Sequence, residues 1–204
     1  MKKILGIGEL VWDVFPSGKQ LGGAPVNFAY FAKELGAEAY PVAALGSDEL
    51  GDEAMEVVRP SGLKLDFIQR NSLPTSRVLV TTDEEGGPQY EIGENVAWDA
   101  MECTPEILDL ASEADVICWG SLAQRSEKSR DSILAILDAA PESCLMVFDI
   151  NIRQKFYTPE VIAAEPLRVI HGTQEEVSLQ AEAPEGIVIS RDDLQNIRTE
   201  IPEV

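Results

Sequence analysis

Basic residues are scarce in this chain of 204 residues: sixteen Lys and Arg stand against 36 Asp and Glu, and the formal net charge is −20 at pH 7. A surface with this charge repels nucleic-acid backbones and anionic lipid headgroups, because both are negatively charged. The composition therefore argues against nucleic-acid or membrane-surface binding. It still allows a nucleotide substrate, since local cations, helix N-termini and Mg²⁺ can hold phosphates in an acidic protein.

Cysteine and long apolar runs are scarce too. The three cysteines, Cys103, Cys118 and Cys144, lie far apart and form neither a disulfide framework nor a C-x-x-C metal motif. We expect Cys118 and Cys144, which lie within apolar runs, to be buried as small hydrophobes. The first residues lack a signal-peptide core, and no apolar run is long enough to span a membrane. We therefore expect a soluble, cytoplasmic protein.

Apolar runs that end in glycine or polar residues alternate along the chain with segments of helical spacing. This order is typical of an α/β fold, in which a parallel sheet is joined by crossover helices. The predicted strands are 3–8, 40–45, 115–119, 144–149 and 186–190, and the predicted helices are 27–35, 48–61, 105–110 and 126–139.

A hairpin interrupts this alternation in the middle of the chain. The runs 77–82 and 89–92 flank the turn Asp83-Glu84-Glu85-Gly86-Gly87-Pro88, which favours an antiparallel pair of strands. Because the hairpin is inserted between α/β units, we expect a small sheet that stands off the main domain. A lid over a binding site is the natural use of such a sheet.

The candidate binding residues follow the predicted strands, where ligands of open α/β sheets bind. Gly22 and Gly23 would let the backbone approach a ligand closely. Asn27 offers a donor and an acceptor to a polyol, and Asp13 can accept from neighbouring sugar hydroxyls. A plain turn from loop to helix remains the alternative interpretation of the glycine pair.

Six stretches, taken together, resemble the ribokinase-like (PfkB) carbohydrate kinases, and within them the fructokinase-type branch. They occur in the family's order over about residues 1–162. The stretches are GELVWDVFP, LGGAPVNFAYFAKELG, ALGSDELGDEA, the block from PTSRVLV to GGPQYEIGENVAWD, GSLAQRS and DINIRQKFY.

The resemblance implies a ribokinase-like three-layer α/β sandwich with a mostly parallel central sheet, truncated at its C-terminus. The small β lid would be formed by about residues 9–30 and 74–99, and residues 163–204 would be a divergent segment. The implied activity is ATP-dependent phosphorylation of a sugar hydroxyl, with Mg²⁺ as the companion of ATP. The resemblance leaves open a homodimer formed through the lid.

The resemblance also implies roles for individual residues. Those that match the sugar-binding positions are Asp13, Gly22, Gly23 and Asn27, with Gln124 and Arg125 facing the same cleft. Asp149 and Asn151 belong to a D-x-N-x-R signature whose Arg153 would counter phosphate charge; a structural ion pair is the alternative for Arg153. Glu176 stands near the expected Mg²⁺–phosphate element, although an exposed helix carboxylate is the alternative there. No residue is predicted as a direct metal ligand.

The sequence departs from the family in its catalytic segment. The G-A-G-D-type motif, which supplies the base and the backbone amides for phosphoryl transfer, does not occur after Asp149. Two hypotheses follow: a sugar kinase, or a sugar-binding homologue without catalysis. A dinucleotide-dependent oxidoreductase, suggested by Gly6-Ile7-Gly8, fits less well because the third glycine of its fingerprint would fall at Val11.

Overall fold

The computed structural model describes residues 1–82 and 88–149, together with two further strands at 169–172 and 187–190. The strands in chain order are β1 Lys3–Ile7, β2 Val11–Phe15, β3 Gly18–Gly22, β4 Glu38–Gly46, β5 Ile68–Asn71, β6 Ser76–Thr82, β7 Pro88–Ile92, β8 Val116–Gly120, β9 Leu145–Asp149, β10 Val169–Gly172 and β11 Ile187–Ser190. The α-helices are α1 Ala24–Glu34, α2 Glu49–Val58, α3 Pro105–Ala111 and α4 Glu127–Ala139.

The main sheet has the strand order β11-β10-β9-β8-β1-β4-β5, and every pair of neighbours is parallel. The predicted α/β fold with a parallel sheet is therefore confirmed. Strands β5 and β10 were not predicted from the sequence. Strands β10 and β11 extend the same sheet within residues 163–204, the segment expected to diverge.

Helices cover both faces of the main sheet, because its strands are apolar on both sides. In β4, Val42 and Ala44 join the core cluster that contains Ile107 and Ile133 of α3 and α4. The alternate residues Ala43 and Leu45 join the cluster that contains Val26, Ala29 and Ala54 of α1 and α2. This arrangement gives the layered sandwich that the resemblance implied.

The second sheet has the order β3-β2-β6-β7 and forms the lid. Strands β6 and β7 pair antiparallel, as predicted, while β2 pairs antiparallel with β3 and parallel with β6. The β2–β3 hairpin had no clear signal, because β3 reads Gly-Lys-Gln-Leu-Gly and is mostly exposed. Its residues nonetheless fall within the predicted lid range of 9–30.

Helix starts follow the capping residues. Asp48 caps α2, its Oδ1 accepting from the Gly51 amide at 2.8 Å, as predicted. Helix α1 begins at Ala24, before the predicted Asn27, since Pro25 fits the first helical turn. The expected burial of Cys118 and Cys144 is confirmed. No helix among the described residues has the length and apolarity that a membrane crossing requires.

Candidate functional site

A cavity of about 290 Å³ lies between the lid sheet and the end of β1. Its volume is at the lower end of the range for small-molecule sites. One side is formed by lid strands β2, β6 and β7, and the opposite side by the loop after β1, the start of α1 and the turn after β8. The lining residues are Glu9, Val11, Asp13, Phe15, Gly23, Ala24, Val78, Val80, Tyr90, Ile92 and Leu122.

The two glycines before α1 are required by close packing. Gly23 has φ of 128°, and a Cβ there would lie 2.2 Å from the backbone oxygen of Glu9. A Cβ on Gly22 would lie 2.6 Å from Oδ2 of Asp13. The backbone at Gly22 therefore passes directly beside the Asp13 carboxylate, which a side chain there would displace, while at Gly23 the positive φ and the Glu9 backbone require glycine. The sequence-predicted residues Asp13, Gly22 and Gly23 are brought together here.

Glu9 is a carboxyl buried at the base of this cavity, with 3% of its surface exposed. Its Oε1 accepts from the Ala24 amide at 3.4 Å, while Oε2 has no hydrogen-bond partner among the described residues. The pKa of Glu9 is raised to about 7: burial is the largest cause and nearby Asp149 adds to it, while backbone hydrogen bonds and Arg125 oppose the rise. The carboxyl can therefore donate or accept a proton near neutral pH.

Asn27 lies outside this cavity. Its side chain is exposed and lines a second cavity of about 260 Å³, together with Tyr30 and Val57. Gly22 borders this second cavity and lies beside Asp13, which lines the first. The resemblance implied that Asn27 and Asp13 line one site, but the structure places them at different cavities.

Gln124 and Arg125 follow β8 but are engaged in internal contacts. The Gln124 side chain is buried and donates from Nε2 to the Gly120 carbonyl at 3.3 Å. The Arg125 guanidinium forms a two-bond pair with Asp99, each bond 2.8 Å long. Neither side chain lines the cavity between the lid and β1.

Asp149 ends β9 and is buried, with 7% of its surface exposed. It lies close enough to Glu9 and Cys118 to affect both: burial raises the pKa of the Cys118 thiol, and the charges of Asp149 and Glu9 raise it further. The remaining predicted residues, Asn151, Arg153 and Glu176, lie outside the described residues, and their roles stay predictions.

Comparison with known proteins identifies the family. The model of the pfkB family of carbohydrate kinases matches residues 5–183. The chain belongs to the pfkB family. The match continues beyond residue 162, where the resemblance in the sequence was expected to end.

Relatives of this pfkB chain include sugar kinases. A putative sugar kinase of Pyrococcus horikoshii, PH1459, is 23% identical over 161 residues, which cover 74% of this chain and 52% of the relative. Probable fructokinase-4 of Arabidopsis thaliana is 28% identical over 165 residues, covering 74% of this chain and 51% of the relative. The chain thus spans about half the length of these curated relatives.

The fold of the pfkB chain is also that of solved sugar kinases. The crystal structure of PH1459 matches with a TM-score of 0.80 at 21% identity, over 93% of this chain and 69% of that chain. A second structure of the same protein, solved in complex with ATP, matches with a TM-score of 0.77 at 21% identity, over 92% of this chain and 70% of that chain. At this level of identity the likeness establishes the fold.

The described residues form a cavity for a small molecule but no cluster that fits Mg²⁺. Within the described residues there is no group of three or more His, Cys, Asp or Glu side chains that could hold a metal ion. The residues predicted to meet the phosphates, Arg153 and Glu176, are not among those described. The described part of this pfkB chain therefore supplies the lid and its cavity.

Sequence reasoning assigned no role in the site to Glu9 or Asp99. Glu9 follows β1 directly, so its position at a strand end was visible, but its burial depends on how α1 and the lid pack. Asp99 follows the lid in sequence, and its pairing with Arg125 joins segments 26 residues apart. A sequence pattern carries no signal for that pairing.

Proposed function

We propose that this chain forms the sugar-binding part of an ATP-dependent kinase that phosphorylates a sugar hydroxyl. The observation that carries the proposal is the cavity beneath the lid, where Asp13 and the Gly22-Gly23 turn meet in a chain of the pfkB family. The PH1459 complex with ATP supports ATP as the phosphoryl donor. The implied Mg²⁺, cytoplasmic location and homodimer stay predictions.

The charge of the cavity favours an uncharged sugar. Its described lining includes the carboxyl groups of Glu9 and Asp13 and contains no Lys, Arg or His. A carboxylate or phosphate on the substrate would meet like charges in a partly desolvated space, which is costly. We therefore propose a neutral monosaccharide, rather than a sugar phosphate or a sugar acid, as the substrate.

The lining residues divide the work of binding. Asp13 can accept hydrogen bonds from two neighbouring hydroxyls, and the glycine turn lets the sugar approach the backbone. The apolar side chains Val78, Val80 and Ile92 would pack against the C–H faces of the ring and exclude water. Transfer to a hydroxyl also needs a base and an anion hole, which the family's G-A-G-D-type motif supplies.

A second candidate is a sugar-binding homologue without catalysis. A chain that binds sugar without these groups would show ligand binding and no measurable phosphoryl transfer, because phosphoryl transfer depends on positioning and charge stabilisation. This candidate shares the cavity and its sugar with the first. The two differ only in turnover.

The test measures binding and turnover separately. Isothermal titration with fructose, glucose and ribose is compared with fructose 6-phosphate and gluconate, and a coupled assay follows sugar-dependent ADP. Binding with ADP formation supports the kinase, and binding without it supports the non-catalytic homologue. Absence of binding to every neutral sugar rejects both candidates, and preferential binding of the anionic sugars rejects the neutral substrate class.

A matched pair of substitutions locates the binding site. Asp13→Asn keeps the shape of the side chain but removes the charge, and we expect sugar affinity to fall at least about tenfold because charged acceptors make the stronger hydrogen bonds. Asp109→Asn, on the exposed face of α3, is the control and should leave affinity unchanged. Equal affinity in both variants would place the sugar elsewhere.

A further inference from the structure

The chain returns from the lid to the main domain through a short segment after β7. It consists of residues 93–96 and a 3₁₀ turn at Ala97–Ala100, and we call residues 93–100 the exit stem. The Gly93 amide donates to the Arg77 carbonyl at 3.1 Å, and the Ala97 amide donates to the Pro74 carbonyl at 2.8 Å. The exit stem therefore lies against the start of β6 and the segment that leads into it.

Arg125 holds this exit stem to the end of β8. Its Nε and Nη2 donate to the two carboxylate oxygens of Asp99 at 2.8 Å, and Nη2 also donates to the Gly93 carbonyl at 2.6 Å. Its guanidinium carbon lies 4.0 Å from the centre of the Trp98 ring. One side chain thus contacts the first residue of the stem and its 3₁₀ turn.

The pair is part-buried and makes further hydrogen bonds. The Arg125 and Asp99 side chains are 7% and 11% exposed. Asp99 Oδ2 also accepts from the Val96 amide at 3.0 Å, and the Ser126 hydroxyl donates to the Asp99 carbonyl at 2.6 Å. Loss of one partner would leave a part-buried charge uncompensated, so the two residues act as a unit.

The pair also borders the cavity without lining it. Arg125 directly follows the turn at Leu122–Gln124, and Leu122 contributes to the cavity wall. On the other side, Gly93 follows Ile92, the lid residue that also lines the cavity. Arg125 therefore connects the two walls of the cavity. It follows the turn that carries Leu122 on one wall, and it bonds to Gly93, which follows Ile92 on the lid wall.

We propose that Arg125 and Asp99 are positioning residues that fix the lid over the bound sugar by clamping the exit stem. They act through Ile92 and Leu122 and do not contact the sugar themselves. The inference rests on the proposed function for its consequence in binding, but the clamp itself is a property of the chain without ligand.

The test uses Arg125→Lys and Asp99→Asn. Lysine keeps the charge but cannot form the two-bond contact, and asparagine keeps the shape but loses the charge. Lys128→Met is the matched control, because it removes a neighbouring ion pair, with Glu102, whose side chains are 53% and 62% exposed. Amide hydrogen exchange is measured in β6 and β7 of the lid and in β1 and β4 of the main sheet, and sugar affinity by titration.

A clamp predicts a local effect. In both test variants the lid amides should exchange about tenfold faster or more, those of β1 and β4 should change less than about twofold, and sugar affinity should fall about tenfold. The control should change none of these. Should Asp99→Asn fail to fold, the milder Arg125→Lys decides alone.

Two results would overturn the clamp. Equal acceleration of exchange in the lid and the main sheet would show that the pair contributes only general stability. Lost sugar affinity with unchanged lid exchange would make Arg125 a direct sugar ligand. If the wild-type chain binds no sugar, the proposed function fails, while the exchange measurements still decide whether the clamp exists.

Discussion

The main sheet and the lid sheet are stabilised in different ways. The strands of the main sheet lie between two layers of helices, and Leu5, Ile7 and Phe148 are fully buried. The lid presents one face, which includes Tyr90, to the cavity, and both Tyr90 and Leu79 are 41% exposed. Apolar burial stabilises the main sheet, whereas strands β6 and β7 of the lid depend more on the contacts of two connecting segments. These are the segment that ends at Thr75, which leads into β6, and the exit stem, which follows β7.

A carboxylate accepts hydrogen bonds from each of these two connecting segments or from the residue that holds it. At the entrance to the lid, Asp48 accepts from the Thr75 amide at 2.8 Å and from its hydroxyl at 2.6 Å. Burial raises the pKa of Asp48, but hydrogen bonds from Thr75 and Gly51 and the charge of Arg70 leave it below its ordinary value. At the exit, Asp99 pairs with Arg125. Substitutions in the main sheet should therefore change stability, and substitutions near the connecting segments should change binding.

The largest effect is expected in the main sheet. Phe148 is fully buried, and its ring centre lies 5.4 Å from that of Trp119. Phe148→Ala should lower the free energy of unfolding by about 3–5 kcal/mol, because it leaves a cavity in the core. Urea denaturation measures the loss. Leu145→Ala, on the same strand but 40% exposed, is the control, and equal losses in the two variants would contradict the assigned core.

A pH-dependent effect is expected at Glu9, where the lid meets the main sheet. Its pKa of about 7 lies above the ordinary 4.5, so its contribution to stability is complete below pH 4.5 and is lost as the pH rises through 7. Glu9→Gln mimics the protonated form. It should therefore gain up to about 3 kcal/mol relative to the wild type between pH 4.5 and 8.

The measurement is urea denaturation of both proteins across this pH range. The charged neighbours of Glu9, Asp149 and Arg125, are common to the two proteins. The difference between the two curves therefore isolates Glu9. A difference that stays constant with pH would show that Glu9 is not buried as the structure places it.

The smallest effect separates backbone strain from close packing at the glycine turn. Gly23 and Gly36 both have positive φ, but a Cβ on Gly36 would meet no atom within 4 Å. Gly36→Ala should cost about 1 kcal/mol from strain alone. Gly23→Ala should cost at least about 2 kcal/mol and weaken sugar binding, since its Cβ would also displace the Glu9 backbone. Equal costs and unchanged binding would contradict the close approach.

Much of the main sheet could be predicted from local patterns. The apolar runs of β1, β4, β8 and β9 end in glycine or polar residues, and the capping residue Asp48 predicts the start of α2. Strand β5, which reads Ile-Gln-Arg-Asn, had no such signal, because it lies at the edge of the sheet and only Ile68 is buried. Strand β3 was missed for a similar reason.

The candidate site was predicted only in part. Asp13, Gly22 and Gly23 do meet, because the β2–β3 hairpin brings the ends of a short chain segment together. Asn27 does not join them, since its position on α1 directs it to the second cavity. Arg125 was expected at the cleft, and it lies near it, but its guanidinium is taken up by Asp99.

The sequence by itself determined the alternation of strands and helices, the hairpin of the lid and the residues that mark the pfkB family. Those features depend on the spacing of apolar residues and on turn-forming residues, which are local. Only the tertiary structure decided that Glu9 is buried, that Asn27 lies outside the cavity and that Arg125 clamps Asp99. Burial and ion pairing depend on segments distant in sequence, and their proximity exists only after the layers have packed.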